Sequence, residues 1–460
     1  MRIHLTTASA LRIALWATAA AFALVATPSD VSAQAMDSFG LGSRSTAMGG
    51  AVSAHVSDPS ANYYNPAGIA GFDGVQLMAG YFYSMPNLFV DGNDSNVDDI
   101  SGIVFGLTVP GSIGPVNFAF GLGGHLPDGR VSRSRSLPRR QPRWELYDNR
   151  PHRTLLSTNV AVEPVPWLRI GGGISFQAFS ENDIHIGGEI GLLGLEMDTD
   201  LVQEVDFAIR TIRFPTAGVQ ADPTDWLSFG LNYRGEYALS NELIGEVAVD
   251  LLTPGVDPFA AYVLIETASI NAFVPQQLSM GTTVKPLEGL MLSAEVTWVN
   301  WGSYQSAVGA SSVILTIDVP PSLEDLISVP DSITPGVPVA AEFSDRWVPR
   351  FGGEYTEKFS ETFSLSGRFG YVYENSPAPP QTGFTNLIDS DRHVFSLGLG
   401  TRLGMFRPLL PGWVDVDMHF QWSHLPDRDH VKQSPADPTG DYRAGGDIFN
   451  LGATVNVGFE

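Results

Sequence analysis

From Phe449 to Phe459 every second residue is apolar or small: Phe449, Leu451, Ala453, Val455, Val457 and Phe459 share one face of an extended chain, and Asn450, Gly452, Thr454, Asn456 and Gly458 share the other. Strand side chains alternate between faces with a period of two, so this stretch is a ribbon with one greasy side and one polar side. Trp413 to Trp422 repeats the pattern, with Val414, Val416, Met418, Phe420 and Trp422 opposite Asp415, Asp417, His419 and Gln421. Periodicity alone allows two folds. In a soluble sandwich the apolar face makes the core, and in a membrane barrel it meets lipid while the polar face lines the bore.

Strand number and spacing favour the barrel. Alternating segments recur near 75–84, 101–109, 115–124, 154–163, 168–180, 205–219, 226–239, 274–285, 289–300, 346–356, 362–373, 391–403, 412–422 and 447–459, an even set of about fourteen. Short turns such as Glu163-Pro164-Val165-Pro166 and Lys358-Phe359-Ser360-Glu361 alternate with long connections. Bacterial barrels have short periplasmic turns and long outer loops, an asymmetry a sandwich does not require. Aromatics near strand ends, among them Tyr81, Tyr83, Trp167, Trp226, Trp298, Trp347, Trp413 and Trp422, suit interfacial girdles. The expected fold is therefore all-β, a transmembrane antiparallel barrel.

Residues 1–33 carry Arg2 and Arg12, an apolar run from Ile13 to Val25, and Val31-Ser32-Ala33, the three zones of a secretory signal peptide. That run is too short to span a bilayer as a helix, which needs about 20 residues. The chain has no cysteine, which excludes disulfides and thiolate chemistry. Its net charge of −24 argues against nucleic acid as a partner. One basic island stands out, comprising Arg130, Arg133, Arg135, Arg139, Arg140, Arg143, Arg150 and Arg153. It reads as an outer loop that meets lipopolysaccharide or attracts carboxylates, or simply as a solvated loop.

A barrel this wide leaves a bore that wall side chains do not fill. Residues 34–74 are the spare segment. Between Phe39 and Gly71 they hold glycine at 40, 42, 49, 50, 68 and 71, small Ser and Ala, and a turn at Asn65-Pro66-Ala67-Gly68, a composition suited to close packing against neighbours. The division expected is signal peptide 1–33, hatch 34–74 and barrel 75–460. Loops 181–204, 240–273 and 303–345 contain apolar runs, including Val247 to Leu252 and Val313 to Ile317. These mark either a landing groove for apolar solutes or strands that rise past the membrane and pack together.

The succession Leu41-Gly42-Ser43-Arg44, Ala47-Met48-Gly49-Gly50-Ala51, Asp58-Pro59-Ser60-Ala61 and Asn65-Pro66-Ala67-Gly68 resembles the hatch of the FadL/OMPP1/TodX family of outer-membrane transporters. Phe343-Ser344-Asp345, Gly352-Gly353-Glu354-Tyr355, Ser376-Pro377-Ala378-Pro379 and Asp389-Ser390-Asp391-Arg392 resemble its C-terminal third. Ile388, Val394 and Ser344 depart from the family's habits. The resemblance implies a monomeric bacterial outer-membrane protein for passive uptake of long-chain fatty acids or other hydrophobic molecules, with no cofactor or metal. It further implies capture on outer loops, a pocket beside the plug and lateral exit through the wall, for which Gly121, Gly123 and Gly124 are candidate kink points.

Strand parity places Arg234, Lys285, Arg350, Arg368 and Arg402 in the lumen, with Glu163, Glu295, Glu354, Asp415 and Asp417. These cations either pair across the bore or hold a ligand carboxylate. Asp391 and Arg392 read as a structural ion pair and loop anchor. Two rival functions stand beside transport: a structural or adhesive barrel, and an outer-membrane lipid hydrolase. For the latter, His419, Ser423 and His424 are close in sequence, but no GxSxG or HExxH motif is present.

Overall fold

The computed structural model describes residues 35–129, 141–148, 153–191, 200–253, 256–304, 310–317, 341–383, 385–404 and 412–459. The signal peptide and Arg130, Arg133, Arg135, Arg139, Arg140 and Arg150 of the basic island lie outside these residues.

Fourteen strands form the wall: β1 (Gln76–Val90), β2 (Ile100–Ile113), β3 (Val116–Pro127), β4 (Leu155–Val165), β5 (Leu168–Gly191), β6 (Asp200–Thr224), β7 (Leu227–Arg234), β8 (Gln277–Leu287), β9 (Leu290–Val299), β10 (Arg346–Ser360), β11 (Phe363–Glu374), β12 (Arg392–Leu403), β13 (Gly412–His430) and β14 (Tyr442–Phe459). Each pairs antiparallel with the next in sequence. β1 pairs with β14 from Gln76–Gly458 to Val90–Ala444, so the sheet closes and leaves no barrel edge unpaired. Closure is what hydrocarbon demands, since an orphan backbone group there costs several kcal/mol. All fourteen strands expected from alternation are present.

The wall is inverted relative to a soluble protein. Phe120, Leu397, Leu399 and Met418 are more than half exposed on the outer surface, while Asn450, Thr454, Asn456 and Asp417 are buried inside. Turns at Gly114, Pro166–Trp167, Asp225–Trp226, Glu288–Gly289 and Glu361–Thr362 mark the periplasmic end, and the long connections mark the outer one.

All three segments expected to be loops contain strands. Tyr237–Thr253 pairs antiparallel with Val256–Val274, which also pairs with Ala310–Ile317. Ile184–Gly191 of β5 runs parallel to Gly245–Leu252. The apolar runs therefore belong to an outer extension of the sheet, because β-rich sequence beyond the membrane satisfies its backbone by pairing with itself.

The ladder is not interrupted at Gly121, Gly123 and Gly124, the expected kink points. β3 pairs with β2 and β4 in unbroken register on both sides, and Gly121 instead receives the hatch, as described below.

Candidate functional site: a hatch seated on a glycine belt

Residues 35–74 fold into short pieces inside the bore: α1 (Ala35–Phe39), α2 (Ser43–Ala47), α3 (Ala61–Tyr64) and a 3-10 turn at Pro66–Gly71. None is long enough to hold itself together in isolation, so the wall must supply the cohesion. Gly49 and Gly50 turn the chain with φ of 65° and 72°, a left-handed backbone that a side chain disfavours.

The wall receives the hatch on inward-facing glycines. A Cβ on Gly121 would fall closer than 3.0 Å to Asn62, on Gly218 to Asn65, on Gly230 to Ser53, on Gly352 to Met48, and on Gly370 to Gly49. Gly106, Gly171, Gly281 and Gly398 make the same approach to Pro59, Pro66, Ser53 and Ala47. Nine strands thus present bare backbone to the hatch, and its small residues fill the gap that side chains would otherwise occupy.

Polar contacts lock that seat. Asn65, expected to carry the hatch motif, accepts from the Ala67 amide at 3.1 Å and caps the turn begun by Pro66. Its Nδ2 donates to the carbonyls of Ser53 at 2.7 Å and of Val219 on β6 at 3.1 Å. Ala67 is fully buried, and Gly68 approaches the Gln220 side chain. Asn159 on β4 donates to both oxygens of Asn62, at 3.0 and 3.1 Å, and Ser53 N donates to Glu295 at 3.0 Å. Arg44 makes a two-toothed contact with Glu354, both bonds 2.9 Å long. Arg368 bridges the same Glu354 at 2.5 Å to Asp417 at 2.6 Å. Buried carboxylates and guanidiniums are tolerated only when matched in this way.

The five nominated lumen cations have different surroundings. Arg368 is spent in that network. Arg402 is bonded twice to Asp415, each bond 2.8 Å long, and lies over Trp413. It lines a periplasmic mouth cavity of about 540 Å³ with Lys285 and the hatch residue His55. Burial and the charges of Lys285 and Arg44 push the half-buried imidazole of His55 down to about 3. Arg234 and Arg350 come together above the hatch, where with Arg392, Glu374, Tyr63 and Asp37 they line a cavity of about 40 Å³. Arg234 bonds Asp37 at 2.7 Å. Arg350 has no carboxylate within ion-pair distance among the described residues, and its Nε is buried without a partner.

Asp391 and Arg392 do not pair with each other. Asp391 accepts from Tyr373 at 2.8 Å and from the Ser376 amide at 2.9 Å, holding the start of the loop after β11. Arg392 bonds Glu374 at 2.6 Å and the carbonyl of Ser38 in α1 at 3.2 Å. The backbone reason is parity: neighbouring residues at a strand start face opposite sides. Arg428 and Lys432 fasten the same loop over the outer mouth, Arg428 through Ala378 O at 2.8 Å and Lys432 through Gly383 O at 2.7 Å. Inside it, burial outweighs the nearby Arg346 and lifts the Asp389 carboxyl to about 6. Arg143 of the basic island is buried against this region, and Arg153 is buried too, so neither faces solvent.

Ser423 and His419 are buried on the inner face, while His424 reaches Asp447 at 2.9 Å on a side chain that is 46% exposed. The three do not converge on a nucleophile and base. Sequence reasoning missed Asp37, Tyr63 and Glu374, which line the upper cavity; nothing in their local pattern distinguishes them from other polar residues.

The family model for outer membrane protein transport proteins (OMPP1/FadL/TodX) matches residues 214–420. Alkane uptake protein A of Marinobacter nauticus is 23% identical over 419 residues, covering 87% of this chain and 86% of that protein. The chain is thus similar to outer-membrane transport proteins of the OMPP1/FadL/TodX family. Solved structures share its fold. A FadL homologue of Pseudomonas aeruginosa aligns with a TM-score of 0.54 and 16% identity over 94% of this chain and 99% of that one. The CymD monoaromatic hydrocarbon channel aligns with a TM-score of 0.53 and 12% identity over 91% and 98%. The OMPP1/FadL/TodX barrel is an outer-membrane fold, and the strand closure and inverted polarity described above are what that location requires.

Proposed function

We propose that this protein carries hydrophobic small molecules, long-chain fatty acids among them, passively across the outer membrane, past the hatch. Arg350 carries the reading. Its guanidinium lines the cavity above the hatch with no carboxylate within ion-pair distance among the described residues, while Arg234 and Arg392 beside it are paired. A cation left over in a confined polar pocket is suited to a ligand carboxylate. The buried apolar residues of β1, Met78, Phe82 and Leu88, belong to a cluster suited to a tail. An alkyl chain gains about 0.8 kcal/mol per buried CH₂, so such a solute has reason to follow an apolar wall.

Exit through the wall at β3 requires opening a fully paired ladder, so we place the route beside the hatch and leave the barrel closed. Within the membrane the closed barrel offers no edge strand for pairing with another copy, in keeping with a monomer set in outer-membrane lipid and lipopolysaccharide.

The similarity to an alkane uptake protein favours a second reading, in which the substrate is a neutral hydrocarbon. Uptake of labelled oleate and labelled hexadecane by a deletion strain carrying the gene separates the two. Arg350→Ala should reduce oleate uptake several-fold and spare hexadecane. Equal uptake of oleate by Arg350→Ala and by the unmodified protein removes Arg350 from carboxylate recognition, uptake of hexadecane without oleate assigns the pathway to hydrocarbons, and uptake of neither compound removes the transport reading.

A further inference from the structure

Asp37 sits where the head group of a ligand belongs. Its Oδ1 accepts from Arg234 at 2.7 Å and from the Tyr63 hydroxyl at 2.5 Å, with the Arg234 guanidinium 4.2 Å above the Tyr63 ring. Met36 and Phe39 on the same short helix are 2% exposed, and Phe39 stacks on Phe82 at 6.3 Å. The helix thus offers one carboxylate beside two buried apolar side chains, the composition of a small anionic amphiphile.

The same helix divides the pathway. Asp37 and Ser38 line the cavity above the hatch and also a second cavity toward the outer mouth, beside Trp301 and Arg346. Removing residues 35–39 from that place joins the two. These residues are also held differently from the rest of the hatch. Residues 43–71 rest on the glycine belt, whereas α1 is tied to the wall by Arg234 to Asp37, Arg392 to the Ser38 carbonyl, and Asn450 to the Phe39 carbonyl.

We propose that Asp37 is a specificity-determining residue: a built-in competitor whose carboxylate holds Arg234 and Tyr63 until a monocarboxylate with an apolar tail replaces it. The incoming head takes the Asp37 position and the tail takes that of Met36 and Phe39. A neutral hydrocarbon has no charge to exchange, so displacing Asp37 leaves Arg234 buried without a partner. Acids therefore open the partition more readily than alkanes. The inference rests on the transport reading above.

The test uses the full chain in lipid nanodiscs, with labelled oleate and labelled hexadecane as probes. Asp37→Asn weakens the competitor and keeps its shape, so oleate affinity should rise about tenfold, the equivalent of one lost charged contact. Hexadecane affinity should stay within about twofold, because no charge enters the exchange. Arg234→Gln should lower oleate affinity and leave hexadecane unchanged. The chain has no cysteine, so Ser38→Cys accepts a single spin label. Oleate should mobilise that label and hexadecane should not. Unchanged oleate affinity in Asp37→Asn, or a label that oleate leaves still, overturns the proposal even where uptake of oleate is intact. Binding of neither probe by the unmodified protein instead sinks the transport reading and this inference with it.

Discussion

A Cβ on Gly370 would fall closer than 3.0 Å to the backbone nitrogen of Gly49, so the hatch and the wall touch there through backbone alone. The contact joins two stretches more than three hundred residues apart and recurs around the bore.

Gly370→Val should unseat the hatch, with an overpacking cost of about 1–3 kcal/mol at that contact. Gly367 lies on the same strand with open space around it, and Gly367→Val is the matched control. Ion conductance in planar bilayers and protease cleavage within 43–71 should rise for Gly370→Val alone. Equal behaviour of the two variants would show that the belt does not seat the hatch.

Among the described residues, the ion pair of Arg44 with Glu354 couples α2 to the wall. Arg44→Ala leaves Glu354 with Arg368, so the loss should be about 1–3 kcal/mol and not that of an abandoned charge. Hydrogen exchange of residues 43–50 should quicken in Arg44→Ala. A double-mutant cycle with Glu354→Gln should show a coupling of the same sign; additive effects would mean that the pair contributes nothing to the seat.

His55 is held neutral, with its pKa lowered from 6.5 to about 3. A base depressed in the folded state contributes stability that is full above pH 6.5 and declines as pH falls from there toward 3. Protection of the amides around residues 51–57 should therefore drop between pH 7 and pH 4.5. His55→Phe, which cannot titrate, should flatten that profile.

Asp389 behaves in the opposite sense. Its carboxyl is raised from 3.8 to about 6, so its favourable contribution is complete below pH 3.8 and is lost as pH rises through 6. Asp389→Asn should slow proteolysis of the 375–391 loop at pH 7.5 and make little difference at pH 4. A loop more labile at pH 7.5 in the variant would show that the Asp389 charge is needed.

The strands were legible in the chain itself, because lipid outside and polar hatch inside impose a two-residue period on Phe449–Phe459 and Trp413–Trp422 alike. Small residues around Gly49-Gly50 and Asn65-Pro66-Ala67 likewise announced close packing, since only such side chains let backbone approach backbone. What they pack against was decided by closure. The sheet sets Gly121, Gly218, Gly352 and Gly370, spread over two hundred and fifty positions, around one bore, and no local pattern encodes that ring. Pairing of charges was settled in the same way: Arg368 finds Glu354 and Asp417, whereas Arg350 does not find a carboxylate among the described residues. Parity told which residues face inward. Only three-dimensional distance, on which ion pairing depends steeply in a confined interior, distinguished a cation held in an ion pair from one without a carboxylate at that distance.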